Sequence, residues 1–99
     1  MIIGSPKEIK NHEYRVGLTP ESVEHLVSAN HTVLIENQAG FGSGFTNEDY
    51  LSAGAKIKLS AQEIFNESDL IIKVKEPQIE EINLIKENQI IFTYLHLAS

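Results

Sequence analysis

The sequence predicts one α/β domain built on a five-stranded parallel sheet, and three observations carry that expectation. Short apolar runs alternate with capped amphipathic segments along the whole chain. Leu70-Ile71-Ile72 is apolar at consecutive positions, as a strand covered on both faces must be. That run passes into Lys73-Val74-Lys75-Glu76-Pro77, and a second run, Ile90 to Leu95, ends on His96. Ligands of open parallel sheets bind beyond the carboxyl ends of the strands, so both runs deliver titratable groups to one rim.

In chain order, Ile2-Ile3-Gly4 is a strand closed by Pro6, which cannot donate to a central ladder. Residues 7–18 form a polar connection over the rim and carry Arg15, the chain's one arginine. Thr19-Pro20-Glu21 starts a helix: a hydroxyl cap, proline at the first helical position and an acid facing the positive dipole end. Val23, Leu26 and Val27 are its buried stripe, and Asn30 is a left-handed terminator. Thr32 to Glu36 is the next strand, followed by a glycine-rich loop, Gly40 to Gly44.

Thr46 caps a short helix that Gly54 ends, and Lys56 to Leu59 is an edge strand blunted by lysines. Ser60-Ala61-Gln62-Glu63 matches a capping box ahead of Ile64 and Phe65. After Pro77, Ile79, Ile82, Leu84 and Ile85 fall at helical spacing, with Glu80 and Glu81 early and Lys86 late. Gln89 to Leu95 is the last strand. Right-handed crossovers and an outer lysine-bearing strand favour the order 3-2-1-4-5. The crevice between strands one and four is then the switch point where ligands bind.

Composition narrows the function classes. Ninety-nine residues at 41% hydrophobic content suit one compact domain. The net charge of -6 comes from scattered acids, and the eight basic residues form no cluster able to follow a phosphate backbone, which argues against nucleic acid. No secretory leader or membrane span is read from the sequence, so a cytoplasmic protein is expected. Zero cysteines exclude disulfides and thiolate metal sites. His12, His25 and His31 lack metal-ligand spacing, so no metal site is expected. The glycine stretch has Phe45 where a dinucleotide fingerprint needs its third glycine, and no Gly-x-Ser-x-Gly elbow exists.

Arg15 and Lys75 converging on the crevice would make a clamp for a small carboxylate or phosphate, one a planar fork and the other a mobile point charge. The alternative is two solvated cations at loop and strand ends. His96 is either a general acid/base or a structural histidine after an apolar strand. Tyr94 shares its strand face and either donates to the same ligand or belongs to the core.

The segments Ile2 to Lys10, Glu13-Tyr14-Arg15-Val16, Leu18-Thr19-Pro20, Gly40 to Phe45, Lys73 to Pro77 and Phe92 to Ala98 together resemble the alanine dehydrogenase and proton-translocating transhydrogenase family. Lys-Val-Lys-Glu-Pro and Thr-Tyr-Leu-His-Leu are closer to the L-alanine dehydrogenase branch, because the transhydrogenase branch generally lacks that histidine. The resemblance implies that Arg15 and Lys75 hold the carboxylate of alanine or pyruvate, that Tyr94 lies alongside, and that His96 is the acid/base group. It implies an NAD-dependent reversible deamination of L-alanine to pyruvate and ammonia, in a homo-oligomer that is a hexamer in full-length members. Such enzymes continue into a Rossmann domain that binds NAD and a carboxyl-terminal return segment. Residues 1–99 are therefore expected to be the amino-terminal part of the substrate-binding domain, with no cofactor site, and inactive alone. Asn30 departs from the glycine usual there, exchanging one left-handed terminator for another. A stand-alone carboxylate-binding or subunit-docking module, or the amino-terminal domain of a transhydrogenase subunit, is the alternative.

Overall fold

The computed structural model describes residues 1–94. Its five strands are β1 (Ile2–Ser5), β2 (Thr32–Glu36), β3 (Lys56–Lys58), β4 (Leu70–Lys73) and β5 (Ile90–Thr93). All pairings are parallel and the order is β3-β2-β1-β4-β5, as expected from the sequence. The four α-helices are α1 (Pro20–Ser28), α2 (Asn47–Ser52), α3 (Ala61–Glu67) and α4 (Ile79–Ile82). Among the described residues no helix is long and apolar enough to cross a membrane.

The alternation of side chains along each strand builds two cores. Ile3, Val33 and Ile35 face α1 and α2, meeting Val23, Tyr50 and Ala53. Leu34 and Ile71 point the other way, onto Ile64 and Phe65 of α3. Crossovers on opposite faces therefore leave the β1/β4 junction uncovered at its carboxyl end, the geometry expected of a ligand crevice.

Local signals set the helix ends. Thr19 Oγ1 accepts from Ser22 N at 3.2 Å, with proline at the helix start. At the other end Asn30 (φ 72°) places its N–H on Val27 O and directs His31 N to Leu26 O, the paired bonds of a Schellman motif. Gly54 ends α2 in the same way, with its N–H on Leu51 O and Ala55 N on Tyr50 O.

The structure corrects three local expectations. The reciprocal capping box forms at Thr46, which exchanges bonds with Asp49 (2.9 and 3.2 Å). At Ser60 only half of it forms: Glu63 N donates to Ser60 Oγ, and the Glu63 carboxylate meets that hydroxyl instead of the Ser60 N–H. The glycine stretch is not all loop, because Phe41–Ser43 makes a 3-10 turn that left-handed Gly44 ends.

The third correction concerns α4, which ends at Ile82, well short of Lys86, and points Ile79 and Ile82 at solvent (82% and 55% exposed). Glu81 faces inward instead, 2% exposed, while Leu84 and Ile85 reach the α3-side core from the following turn. Two contacts hold it there: Glu81 Oε2 lies 3.2 Å from Nζ of Lys73, fully buried at the end of β4, and Glu81 Oε1 accepts from Gln78 N. Electrostatic need overrides the apolar spacing.

Candidate functional site

The polar connection after β1 is pinned on both sides, to the ends of β2 and β4. Lys7 N donates to Glu36 Oε1 at the end of β2, and Lys10 Nζ meets Glu76 Oε1 beyond β4 at 2.9 Å. A turn closed by Glu13 N on Lys10 O, with His12 in the left-handed region (φ 65°), then swings Glu13 inward, its side chain 4% exposed. Gly17 brings the returning chain onto β4: a Cβ there would meet the Ile72 carbonyl and stand 2.8 Å from Ser5 Oγ. No residue with a side chain fits this approach.

Glu13 is where the predicted cations meet. Arg15 grips its carboxylate with a fork, Nε on Oε2 at 2.9 Å and Nη2 on Oε1 at 3.0 Å. Lys75 Nζ, two residues past β4, lies 3.9 Å from Oε1. Arg15 and Lys75 thus converge on one carboxylate beside the β1/β4 junction, although they are distant in sequence. The hydrogen bonds from Arg15 hold the Glu13 carboxyl below the usual carboxylate range; burial opposes that shift, and Lys75 adds to it. The Arg15 guanidinium is pushed up in turn by Glu13.

Arg15 also lines a cleft of about 320 Å³, together with Gly17, Thr19, Phe45, Val74 and Tyr94. Tyr94 donates its hydroxyl to Gly17 O at 2.7 Å and is half exposed, so it walls the cleft and sits outside the core. Lys75 approaches from the Glu13 side and does not line this cleft. His96, the predicted acid/base group, lies outside the described residues, as does Leu95 of the last predicted strand. Among the described residues no group of three histidine or acidic side chains could hold a metal ion.

Behind the clamp lies a cluster that the sequence reading did not find. Glu8, Lys73 and Glu81 are buried together, with Lys73 Nζ 3.1 Å from Glu8 Oε1 and 3.2 Å from Glu81 Oε2. The second contact is ionic without hydrogen-bond alignment. Glu8 also accepts from Val74 N (3.0 Å) and Lys75 N (3.3 Å), and Glu81 Oε1 accepts from Gln78 N (2.9 Å). One signal bears on this: a lysine at the end of an apolar strand run needs an acid partner once it is buried, although nothing local says which.

Residues 4–99 match the model of the alanine dehydrogenase/PNT N-terminal domain. The chain belongs to this family. It is 57% identical to alanine dehydrogenase of Methanococcus maripaludis over 98 residues, 99% of this chain and 26% of that protein. To alanine dehydrogenase of Bacillus subtilis it is 52% identical over its whole length, again 26% of the relative. The fold superposes on a solved L-alanine dehydrogenase at a TM-score of 0.93, with 53% identity, covering 97% of this chain and 26% of that one. A transhydrogenase from Sinorhizobium meliloti follows the same fold, at a TM-score of 0.89 and 30% identity over 96% of this chain and 27% of that one. This member of the family therefore spans about a quarter of the length of the relatives it matches.

Proposed function

We propose that this chain is the amino-terminal part of the substrate-binding domain of an NAD-dependent alanine dehydrogenase, a cytoplasmic homo-oligomer that interconverts L-alanine with pyruvate and ammonia. The convergence of Arg15 and Lys75 on one carboxylate supports the reading most directly. Higher identity to alanine dehydrogenases than to the transhydrogenase supports that branch. So does His96 in the sequence.

In this reading the substrate carboxylate enters the cleft beside Arg15. Glu13 engages two guanidinium nitrogens, Nε and Nη2, and the exposed remainder of the fork is open to a ligand. Lys75 adds a point charge, and Tyr94 fixes the wall against Gly17. A carboxylate held at one end orients the substrate's second carbon, which removes rotational freedom before reaction. His96, two residues past Tyr94, is assigned proton transfer at that carbon's substituent on the strength of the resemblance.

NAD accepts or supplies the hydride in this chemistry, and the described residues do not fit it. Gly40 is required by packing, since a Cβ there would stand 2.6 Å from the Tyr50 hydroxyl, and Phe45 replaces the third glycine of a dinucleotide loop. The cofactor is therefore assigned to a Rossmann domain outside residues 1–99, and the isolated chain is expected to be inactive. Calorimetric or NMR titration of the purified chain with pyruvate tests the clamp: binding is expected, and Arg15→Lys should weaken it about tenfold through loss of the fork. Absence of pyruvate binding, or equal affinity in the variant, would overturn the assignment. NAD-dependent deamination by the chain alone would show that it is more than a binding part.

A further inference from the structure

Two carboxylates, Glu8 and Glu81, surround the buried Lys73 ammonium, one more than charge balance requires. A buried surplus charge is costly unless hydrogen bonds satisfy it. Glu8 spends its acceptors in a particular direction: Oε2 takes the Val74 N–H at 3.0 Å, and Oε1 takes the Lys75 N–H at 3.3 Å beside Lys73 Nζ. Those amides belong to the two residues that follow β4, where the sheet ladder no longer supplies acceptors. Val74 is buried, so its amide has no ready substitute in water. Glu81 is different in kind, because its second oxygen caps the start of α4 at Gln78 N and touches neither amide.

We propose that Glu8 is a positioning residue for the anion clamp: its carboxylate sets the direction in which the chain leaves β4 and so where Lys75 meets Glu13 and Arg15. The inference rests on the reading of Arg15 and Lys75 as a carboxylate clamp. Neutralising Lys73 is a shared task of Glu8 and Glu81; holding the Val74 and Lys75 amides belongs to Glu8. In Glu8→Gln the side chain keeps one acceptor oxygen, and its amide nitrogen would face either Lys73 or a backbone N–H. The amide left without an acceptor then turns toward water, and Lys75 moves with it.

The test compares Glu8→Gln with Glu81→Gln in the purified chain, reading thermal midpoint, pyruvate affinity and the backbone amide NMR signals of Val74 and Lys75. Both variants keep one carboxylate beside Lys73, so both should fold, with thermal midpoints within a few degrees of the parent. Pyruvate affinity should fall about tenfold in Glu8→Gln and stay within about twofold of the parent in Glu81→Gln, because only the first variant displaces a clamp group. Both amide signals should move in Glu8→Gln alone. Glu8→Asp, which keeps the charge opposite Lys73 but retreats by one methylene, should fold and show the same loss in smaller measure. Equal affinities in the two Gln variants, or unmoved amides in Glu8→Gln and Glu8→Asp, would overturn the positioning role while leaving the clamp intact. Absence of pyruvate binding in the parent chain would overturn the clamp and this role together.

Discussion

Arg15 is the group on which the site turns, and its geometry is set by a carboxylate two residues earlier. The Glu13 carboxyl lies below its ordinary value of 4.5 because Arg15 hydrogen-bonds the charged form, with burial pulling the other way. A depressed folded value means that this contribution to stability is present above the unfolded carboxylate pKa. It is lost as pH falls through the folded one. An NMR titration of the Glu13 carboxyl carbon should therefore give a midpoint below 4.5. Arg15→Met, which removes the largest cause and leaves burial in place, should raise it, and an unmoved midpoint would contradict the fork. At the rim, Lys10 holds the Glu76 carboxyl down to about 2. This exposed pair joins the loops on either side of the crevice, and the contact weakens as pH falls through the folded value.

Among the helices, cap geometry and orientation make separable claims. The reciprocal box at Thr46 satisfies two donors, whereas the long 3.3 Å bond at Ser60 satisfies one. Thr46→Ala should accordingly cost about 1 kcal/mol in urea unfolding, and Ser60→Ala less. Helix α4 provides a sharper contrast, because its apolar spacing predicts a buried Ile79 while the structure turns that residue to solvent. Ile79→Lys is expected to change stability by no more than about 0.5 kcal/mol. A loss of about 2 kcal/mol or more would instead mean that the isoleucine stripe is buried and Glu81 is not.

Across the molecule, the core under α1 and α2 reaches β4 through Leu70 and Ile72, and among the described residues the same face of β5 is half exposed. Ile90, Phe92 and Tyr94 stand on that face, about half exposed each, with the rings of Phe92 and Tyr94 edge to face at 5.8 Å. Apolar surface of this kind on an edge strand favours association. The chain should self-associate as its concentration rises in sedimentation, and Phe92→Ser should reduce the effect. Strictly monomeric behaviour at high concentration would rule out this face as the contact.

Much of the architecture is legible in the sequence. The consecutive apolar positions of Leu70 to Ile72, the Thr19-Pro20 start and the Asn30 stop report on their own neighbourhoods. Parallel strands joined by right-handed crossovers leave few orders to choose from. The motifs around Arg15, Lys75 and Tyr94 likewise sufficed to place the chain in its family. What only the tertiary structure decided was partnership: that Arg15 and Lys75 share Glu13, that Glu81 turns inward and Ile79 outward, and that Glu8 holds the end of β4. Caps and strand periods are enforced by atoms a few residues away. The partner of a buried charge is chosen by desolvation over separations as long as the 65 residues between Glu8 and Lys73, which no local pattern encodes.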